Sequence, residues 1–335
     1  MSRMKLLSLS ILSILLIGCA GIGAGAYYLH SPMPVSGESK VLVVEPGMSV
    51  SHVARSLEKQ GLIRNARWFN LYARYSEVDS RIKVGRYEIL SGQTTDQILG
   101  TLVSGEGGTE HVTIPEGLTL GEIATILHEK VSVDSSAFLA LARDPEHVAS
   151  LGIDAPTLEG YLFPNTYSFY RGMATERVIA EMTGLFHEVM SSENRLKAEE
   201  MKMSVHEIMT LASIIEGEAQ LASERDTISG VFHNRLRIGR RLESCATVQF
   251  ILGEPKAVLL ERDLRIPSPY NTYIHAGLPP GPICSPGAAA IKAALNPAVV
   301  PYLYFVARGD GGHIFSRSNR EHVNAKNKIK RNNRT

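Results

Sequence analysis

SVHEIMTLASIIEGEAQL, Ser204 to Leu221, places two glutamates one residue apart, Glu216 and Glu218, directly behind an apolar run. A carboxylate brought against apolar packing either finds a partner or shifts its pKa. Ser204 followed three residues later by Glu207 is a capping box, so the stretch predicts a helix from Val205 to about Ala219 or Gln220. At the ~100° per residue of an α-helix, apolar side chains cover more than half the circumference, and the glutamates stand about 160° apart at opposite margins of that arc. Both are therefore at least partly desolvated, and periodicity does not say which one faces a cleft. Gly217 between them is costly in a helix interior and implies close approach by another segment. Two readings fit the pair: an internal ion pair with Arg225, Arg235 or Arg241, or a desolvated glutamate serving as a general acid.

Around this helix the composition turns to Gly, Pro, Asn and Tyr in three clusters: LEGYLFPNTYSF (Leu158–Phe169), SPYNTYIHAGLPPGPICSPG (Ser268–Gly287) and YLYFVARGDGGHIFS (Tyr302–Ser316). Loops of this kind, carried on a scaffold, build sites. Pro279, Pro280 and Pro282 exclude a regular helix or a central strand there. Tyr270, Asn271, Thr272, Glu159 and Tyr167 are expected to line a groove, the rings stacking on sugar faces and the polar groups bonding their edges; turn formation and loop packing is the other reading of these residues. Other chemistries lack their residues. HEIMT and HEVMS have no second histidine for a zinc-protease helix, so neither a metal nor any other cofactor is expected. There is no Gly-rich nucleotide loop and no nucleophile elbow, and neither Cys245 nor Cys284 has an adjacent histidine. His313, in GDGGHIF, reads as a loop residue.

Further upstream one pattern recurs three times, in PGMSVSHVARSL, SGQTTDQILGTL and EGLTLGEIATIL. Counted from Gly47, Gly92 and Gly117, each has Ser or Thr two residues on, Val or Ile at six and Leu at ten. Glycine turns the chain out of a strand (VLVVE, GRYEIL, HVTIP), the hydroxyl caps a helix, and the apolar pair faces a core. These are three strand–turn–helix units, too few and too irregularly spaced for a solenoid. The first and third resemble the lysin-motif module that binds N-acetylglucosamine-containing glycans; a purely structural repeat fits the residues equally well.

The ends bear on location. Arg3 and Lys5 precede 24 uncharged residues, Leu6 to Leu29, long enough to cross a bilayer as a helix with the N-terminus inside. A cleaved signal peptide would have a shorter apolar core with polar residues after it. LIGC (Leu16–Cys19) resembles a lipoprotein cleavage box, but AGIGAGAYYL after it stays apolar, which favours an uncleaved anchor. With Cys19 in that segment, Cys245 and Cys284 are either a disulfide or two free thiols. With 35 basic against 34 acidic residues, no nucleic-acid partner is implied. The basic tail Lys326–Thr335 reads as disordered.

Taken together, ASIIEGEAQLASERDTISGVFHNRL, LEGYLFPNTY, the SPYNTY…SPG cluster and YFVARGDGGHIFS closely resemble the endolytic murein transglycosylase family, the YceG-like proteins. The resemblance covers the anchor, the repeats and everything from about Leu158 to His322. It implies an α+β chain with a cytoplasmic tail (1–5), a transmembrane helix (6–29), a linker (30–40), a lysin-motif-like strand–helix region (41–150), a mixed α/β catalytic domain (151–325) and a basic tail (326–335). It implies single-pass residence in the cytoplasmic (inner) membrane with the catalytic domain outside. The expected activity is endolytic cleavage of nascent peptidoglycan strands, and glycan polymerases or penicillin-binding proteins are the expected protein partners. The alternative is a non-catalytic, membrane-anchored, peptidoglycan-binding scaffold. In the family the second glutamate of the E-x-E pair is catalytic, which maps to Glu218. The resemblance also assigns Glu216, Glu159, Tyr167, Asn234, Thr247, Gln249, Tyr270, Asn271 and Thr272 to substrate binding. The chain departs from the pattern where relatives often carry aspartate, at Cys245 and Asn165, and proline, at Ala246. Asn165 cannot supply a second carboxylate.

Overall fold

The computed structural model describes residues 21, 23–27, 29–32, 39–254 and 256–332. They divide into two compact units. One comprises residues up to His111 with Ser168–Arg171, the other Val112–Tyr167 with Gly172 onward. Most of the Leu6–Leu29 segment, including Cys19, and the centre of the linker at 33–38 lie outside the described residues. The described residues from Gly21 to His30 are helical. Among the described residues no helix is long and apolar enough to cross a membrane.

The first unit runs β1 (Ser39–Val44), α1 (Val50–Lys59), α2 (Ala66–Tyr75), β2 (Gly85–Leu90) and α3 (Thr95–Ser104). β1 and β2 pair antiparallel from Ser39 opposite Leu90 to Val44 opposite Gly85. β2 alternates, with Tyr87 and Ile89 inward against Leu42, Phe69 and Ile98. The recurring pattern folds as its residues dictate. Gly47, Gly92 and Gly117 have φ of 77°, 94° and 83°, a left-handed turn that glycine adopts without a Cβ clash. Ser49 then accepts the amide of His52, while Thr94 with Gln97 and Thr119 with Glu122 form full capping boxes. Each cap contributes about 1 kcal/mol. Val53, Leu57, Ile98, Leu102, Ile123 and Leu127, the paired positions at six and ten, are all 0% exposed. Each stabilises its unit by about 1.5–3 kcal/mol.

The third repeat opens the second unit: β3 (Glu110–Ile114), through which the boundary passes, then α4 (Leu120–Val131), α5 (Ser135–Ala142) and α6 (Pro145–Ser150). β4 (Asn165–Phe169) pairs with β3. Next come α7 (Thr175–Val189), α8 (Ser192–Glu200), α9 (Val205–Glu218), α10 (Arg225–Arg237), α11 (Cys245–Leu252) and α12 (Ala288–Leu295). The antiparallel pair β5 (Tyr304–Ala307) and β6 (His313–Ser316) precedes α13 (Asn319–Asn332). The chain is thus mixed α+β, mostly helical, with small two-stranded sheets.

α9 is the central strut. It starts at the expected capping box, with Glu207 and Ser204 bonding each other's backbone amides. Its expected amphipathic arc closes into a full circle, since every residue from Ile208 to Ile215 is buried. The reason is that α10, α11 and α12 all pack on it. The two hydroxyls this encloses are satisfied: Thr210 donates to the carbonyl of His206, and Ser213 to that of Thr210.

One expectation needs correction. Lys326–Asn332 is not a disordered tail but the last turns of α13, which packs on β5 and β6 with His322 stacked on Tyr304 at 5.2 Å. Of the two readings of Cys245 and Cys284 the free thiols are found, the first exposed and the second buried.

Candidate active site

Glu218 is the last residue of α9, and its Oε1 accepts two hydrogen bonds. Ser244 Oγ donates at 2.5 Å and the backbone N–H of Ala246 at 3.2 Å. Ser244 is the N-cap of α11, but its hydroxyl does not cap that helix; it donates to Glu218 instead. The carboxylate therefore occupies the N-terminus of α11, where amides lack helical partners and the dipole favours negative charge. Both bonds fall on Oε1. Where the family often has proline, which has no N–H, Ala246 supplies this second donor.

The donors are themselves fixed. The Ser244 amide donates to Thr272 Oγ1 at 2.9 Å, Thr247 Oγ1 donates to the Ser244 carbonyl at 2.8 Å, and the two threonine hydroxyls meet at 2.9 Å. Ser244, Thr247 and Thr272 are at most 2% exposed. Gly217 explains how the helices come so close: a Cβ on it would lie 2.7 Å from that of Ala246. The neighbour implied by this glycine is the first turn of α11.

Glu216 is in a different setting. Its carboxylate lies 3.6 Å from the guanidinium of Arg225 and accepts the Gly287 amide at 3.0 Å. Burial, opposed by that amide and by Arg225 and reinforced by Glu116, raises its pKa. The internal ion pair thus exists, but for Glu216 and with Arg225. Arg235 instead bonds the carbonyls of Leu303 and Leu242 and pairs with Glu243, and Arg241 bonds the carbonyl of Tyr273. Glu216 ties α9 to the start of α10 and to the loop before α12.

A cleft of about 200 Å³ borders Glu218 through its neighbours, with Gly217 and Ala246 on one side and Thr119, Gln249 and Phe250 among the other walls. Gln249 reaches it and also clamps Lys256 through that residue's amide and carbonyl. The Tyr270 ring lies 5.0 Å from that of Phe250. Glu159 caps the neighbouring helix α4, accepting the Leu120 amide at 3.1 Å. Burial pushes its carboxyl up to about 7 despite that bond.

Apart from Gln249, no residue assigned to substrate binding is among the walls of this cleft. Asn271 is 0% exposed and spends its side chain on its own loop, donating to the carbonyls of Leu264 and Ile266 and accepting the Tyr273 amide. Thr272 and Thr247 hold Ser244. Tyr167 is buried, with its hydroxyl on the Phe163 carbonyl. Asn234 holds the 300–302 segment through the carbonyls of Val300 and Tyr302. His313 is not a loop residue: it lies in β6, 2.7 Å from Glu224. Among the described residues no cluster of His, Cys, Asp or Glu could hold a metal ion. Sequence reasoning missed Ser244, although a serine just before the apolar run CATVQFIL is an N-cap signal.

The YceG-like family matches residues 42–328. The chain is 34% identical over 330 residues to the endolytic murein transglycosylase of Bacillus subtilis (strain 168), covering 92% of this chain and 90% of that protein. It is 31% identical over 377 residues to the protein of the same name from Streptococcus pneumoniae (strain R6), covering 97% of this chain and 66% of the relative. Among solved structures, that of a YceG-like protein from Listeria monocytogenes superposes with a TM-score of 0.60 at 36% identity. The match covers 86% of this chain and 99% of that one.

Proposed function

Because the chain belongs to the YceG-like family, we propose that it is a lytic transglycosylase cleaving peptidoglycan strands internally, between N-acetylmuramic acid and N-acetylglucosamine. Glu218 is its single acid and base. The observation that carries this reading is the fixed carboxyl at the end of a helix buried from Ile208 to Ile215, bonded on one oxygen only and adjoining Gly217 and Ala246, which line a cleft.

A hydrolase commonly needs a second carboxylate to activate water or attack the sugar. A lytic enzyme adds no water. Glu218 first protonates the glycosidic oxygen, and that bond breaks. The carboxylate so formed then accepts the proton of the muramic C6 hydroxyl as its oxygen closes on C1, giving a 1,6-anhydro end and returning the acid. The developing positive charge is spread by site dipoles and by the substrate's own acetamido group. During the anionic stage, Ser244 and the α11 N-terminus stabilise the Glu218 carboxylate. Glu216, engaged with Arg225, is not available for this chemistry.

The Leu6–Leu29 segment is the anchor in this reading. It holds the enzyme in the cytoplasmic membrane with the N-terminus inside, next to newly made strands, where cutting terminates elongation in company with glycan polymerases. The strand–helix–helix–strand order of Ser39–Leu90 supports a small glycan-facing module of lysin-motif type. Digestion of purified glycan strands followed by mass spectrometry tests the reading. Products about 18 mass units below reducing ends are expected, because no water is added; reducing ends alone would refute it.

A further inference from the structure

The first unit carries an aromatic face that its core does not use. α2, ARWFNLYARY, turns Ala66, Phe69 and Ala73 inward. At the ~100° per residue of a helix, Trp68, Leu71 and Tyr75 fall within an arc of about 60° on the far side, while Tyr72 at its edge packs against the core and bonds Asp96. Leu71 is 58% exposed and Tyr75 85%. α2 contains no acidic residue, and Arg67 and Arg74 are exposed along one margin of this arc.

The end of the apolar N-terminal segment lies against the same face. A Cβ on Gly25 would be 3.2 Å from the Trp68 ring. Gly21, Ala26 and Leu29 enclose, with Trp68, Leu71 and Tyr75, an apolar-walled hollow of about 680 Å³. Arg64 extends the basic margin. Its guanidinium stands 5.6 Å from the Tyr27 ring centroid and bonds the carbonyl of Pro32.

We propose that the outer face of α2 is a membrane-contact surface. Trp68, Leu71 and Tyr75 seat at the headgroup level of an anionic phospholipid bilayer, with Arg64, Arg67 and Arg74 on lipid phosphates. The inference rests on the reading of Leu6–Leu29 as a membrane anchor. If that segment enters the bilayer, the helix face packed on its outer end is at the interface. Tryptophan and tyrosine favour that zone because their rings are amphipathic. Arginine matches phosphate geometry, and a basic margin adds attraction to an anionic surface. The bilayer would fill the hollow and cover the exposed Leu71 and Tyr75, so the first unit would lie on the membrane rather than hang from a flexible tether.

Trp68 is the only tryptophan of the chain, so its emission reports this face directly. The full-length protein is reconstituted in vesicles of phosphatidylethanolamine and phosphatidylglycerol. Expected are blue-shifted Trp68 emission, quenching by lipids brominated near the headgroup end of the acyl chain, and weak quenching by iodide. The R67E/R74E variant should lose the dependence on phosphatidylglycerol and gain iodide access while remaining in the vesicles. Iodide quenching without bromolipid quenching, in wild-type protein that resists alkaline carbonate extraction, would leave the anchor standing and overturn the contact surface. Extraction by carbonate would overturn the anchor and the surface with it. A response of Trp68 to added glycan strands but not to brominated lipid would assign the face to the wall polymer and overturn the proposal.

Discussion

The two margins of the α9 terminus hold glutamates two residues apart in opposite kinds of surroundings. On one side Glu216 is met by a cation, Arg225, in a pocket where both side chains are at most 14% exposed. On the other, Glu218 is met by a serine hydroxyl and a backbone amide, and among the described residues no ion pair involves it. Glu216 is built into the packing of α9 against α10, although burial outweighs Arg225 and raises its pKa. Two neutral donors hold the Glu218 carboxyl in position instead. In the proposed mechanism the pattern E-x-E divides into a fastener, Glu216, and a reagent, Glu218.

The harshest test of that division removes the reagent. Glu218→Gln keeps the size and the bonds to Ser244 and Ala246 but cannot shuttle a proton, so turnover should fall by about 10²–10⁴-fold or more with folding and glycan binding retained. Strand digestion and a binding assay read both. If Glu216→Gln were dead and Glu218→Gln active, the roles would be reversed. The expected effect of Glu216→Gln is instead structural. Leaving Arg225 without its counter-charge should cost about 2–4 kcal/mol in urea denaturation, with cutting at permissive temperature retained.

Glu159 sharpens the comparison, because it too sits on a helix N-terminus, yet with burial dominant. Burial raises its folded pKa to about 7, above the 4.5 ordinary for a glutamate. The folded protein therefore binds more protons than the unfolded chain between these values, and stability must fall as pH rises through that window. A loss of about 2 kcal/mol from pH 4.5 to 7 is expected, and Glu159→Gln should flatten it; denaturation at stepped pH measures both. Ser244→Ala, which removes the nearest donor, should lower kcat about tenfold with KM little changed. Ser244→Thr should restore it, a rescue that a packing role would not give. The smallest effect is expected from Ala246→Pro, which deletes the second donor. With less support for the carboxyl's position, kcat in strand digestion should fall only about a few-fold.

What could be read in advance follows how local the physics is. Ser49, Thr94 and Thr119 cap their helices, and six apolar positions reach full burial, because a turn, a cap and one helical face are decided within a dozen residues. Gly217 announced a close contact but not its identity, since the Ala246 partner is fixed only by tertiary packing. The choice among Arg225, Arg235 and Arg241 was equally out of reach. The amides and hydroxyls of the proline-rich loops misled most. An asparagine that binds a sugar and one that satisfies its own buried turn, as Asn271 does, look the same in sequence. Ser244 was hidden because an N-cap serine ordinarily serves its own helix.

Fastenings contributed late in the chain have a consequence for the order of synthesis. The segment directly after Glu218 is pinned from far downstream. Glu224 pairs with His313, while the α10 side chains Asn234 and Arg235 bond carbonyls at Val300, Tyr302 and Leu303. A chain emerging N-terminus first exposes its acid well before these partners exist. Until the final hairpin arrives, a guanidinium that is 5% exposed in the finished fold lacks the Leu303 carbonyl, and α10 is held by its packing on α9 and by the Arg225–Glu216 pair. The surroundings of Glu218 are therefore complete only once the chain as far as His313 has been made and folded.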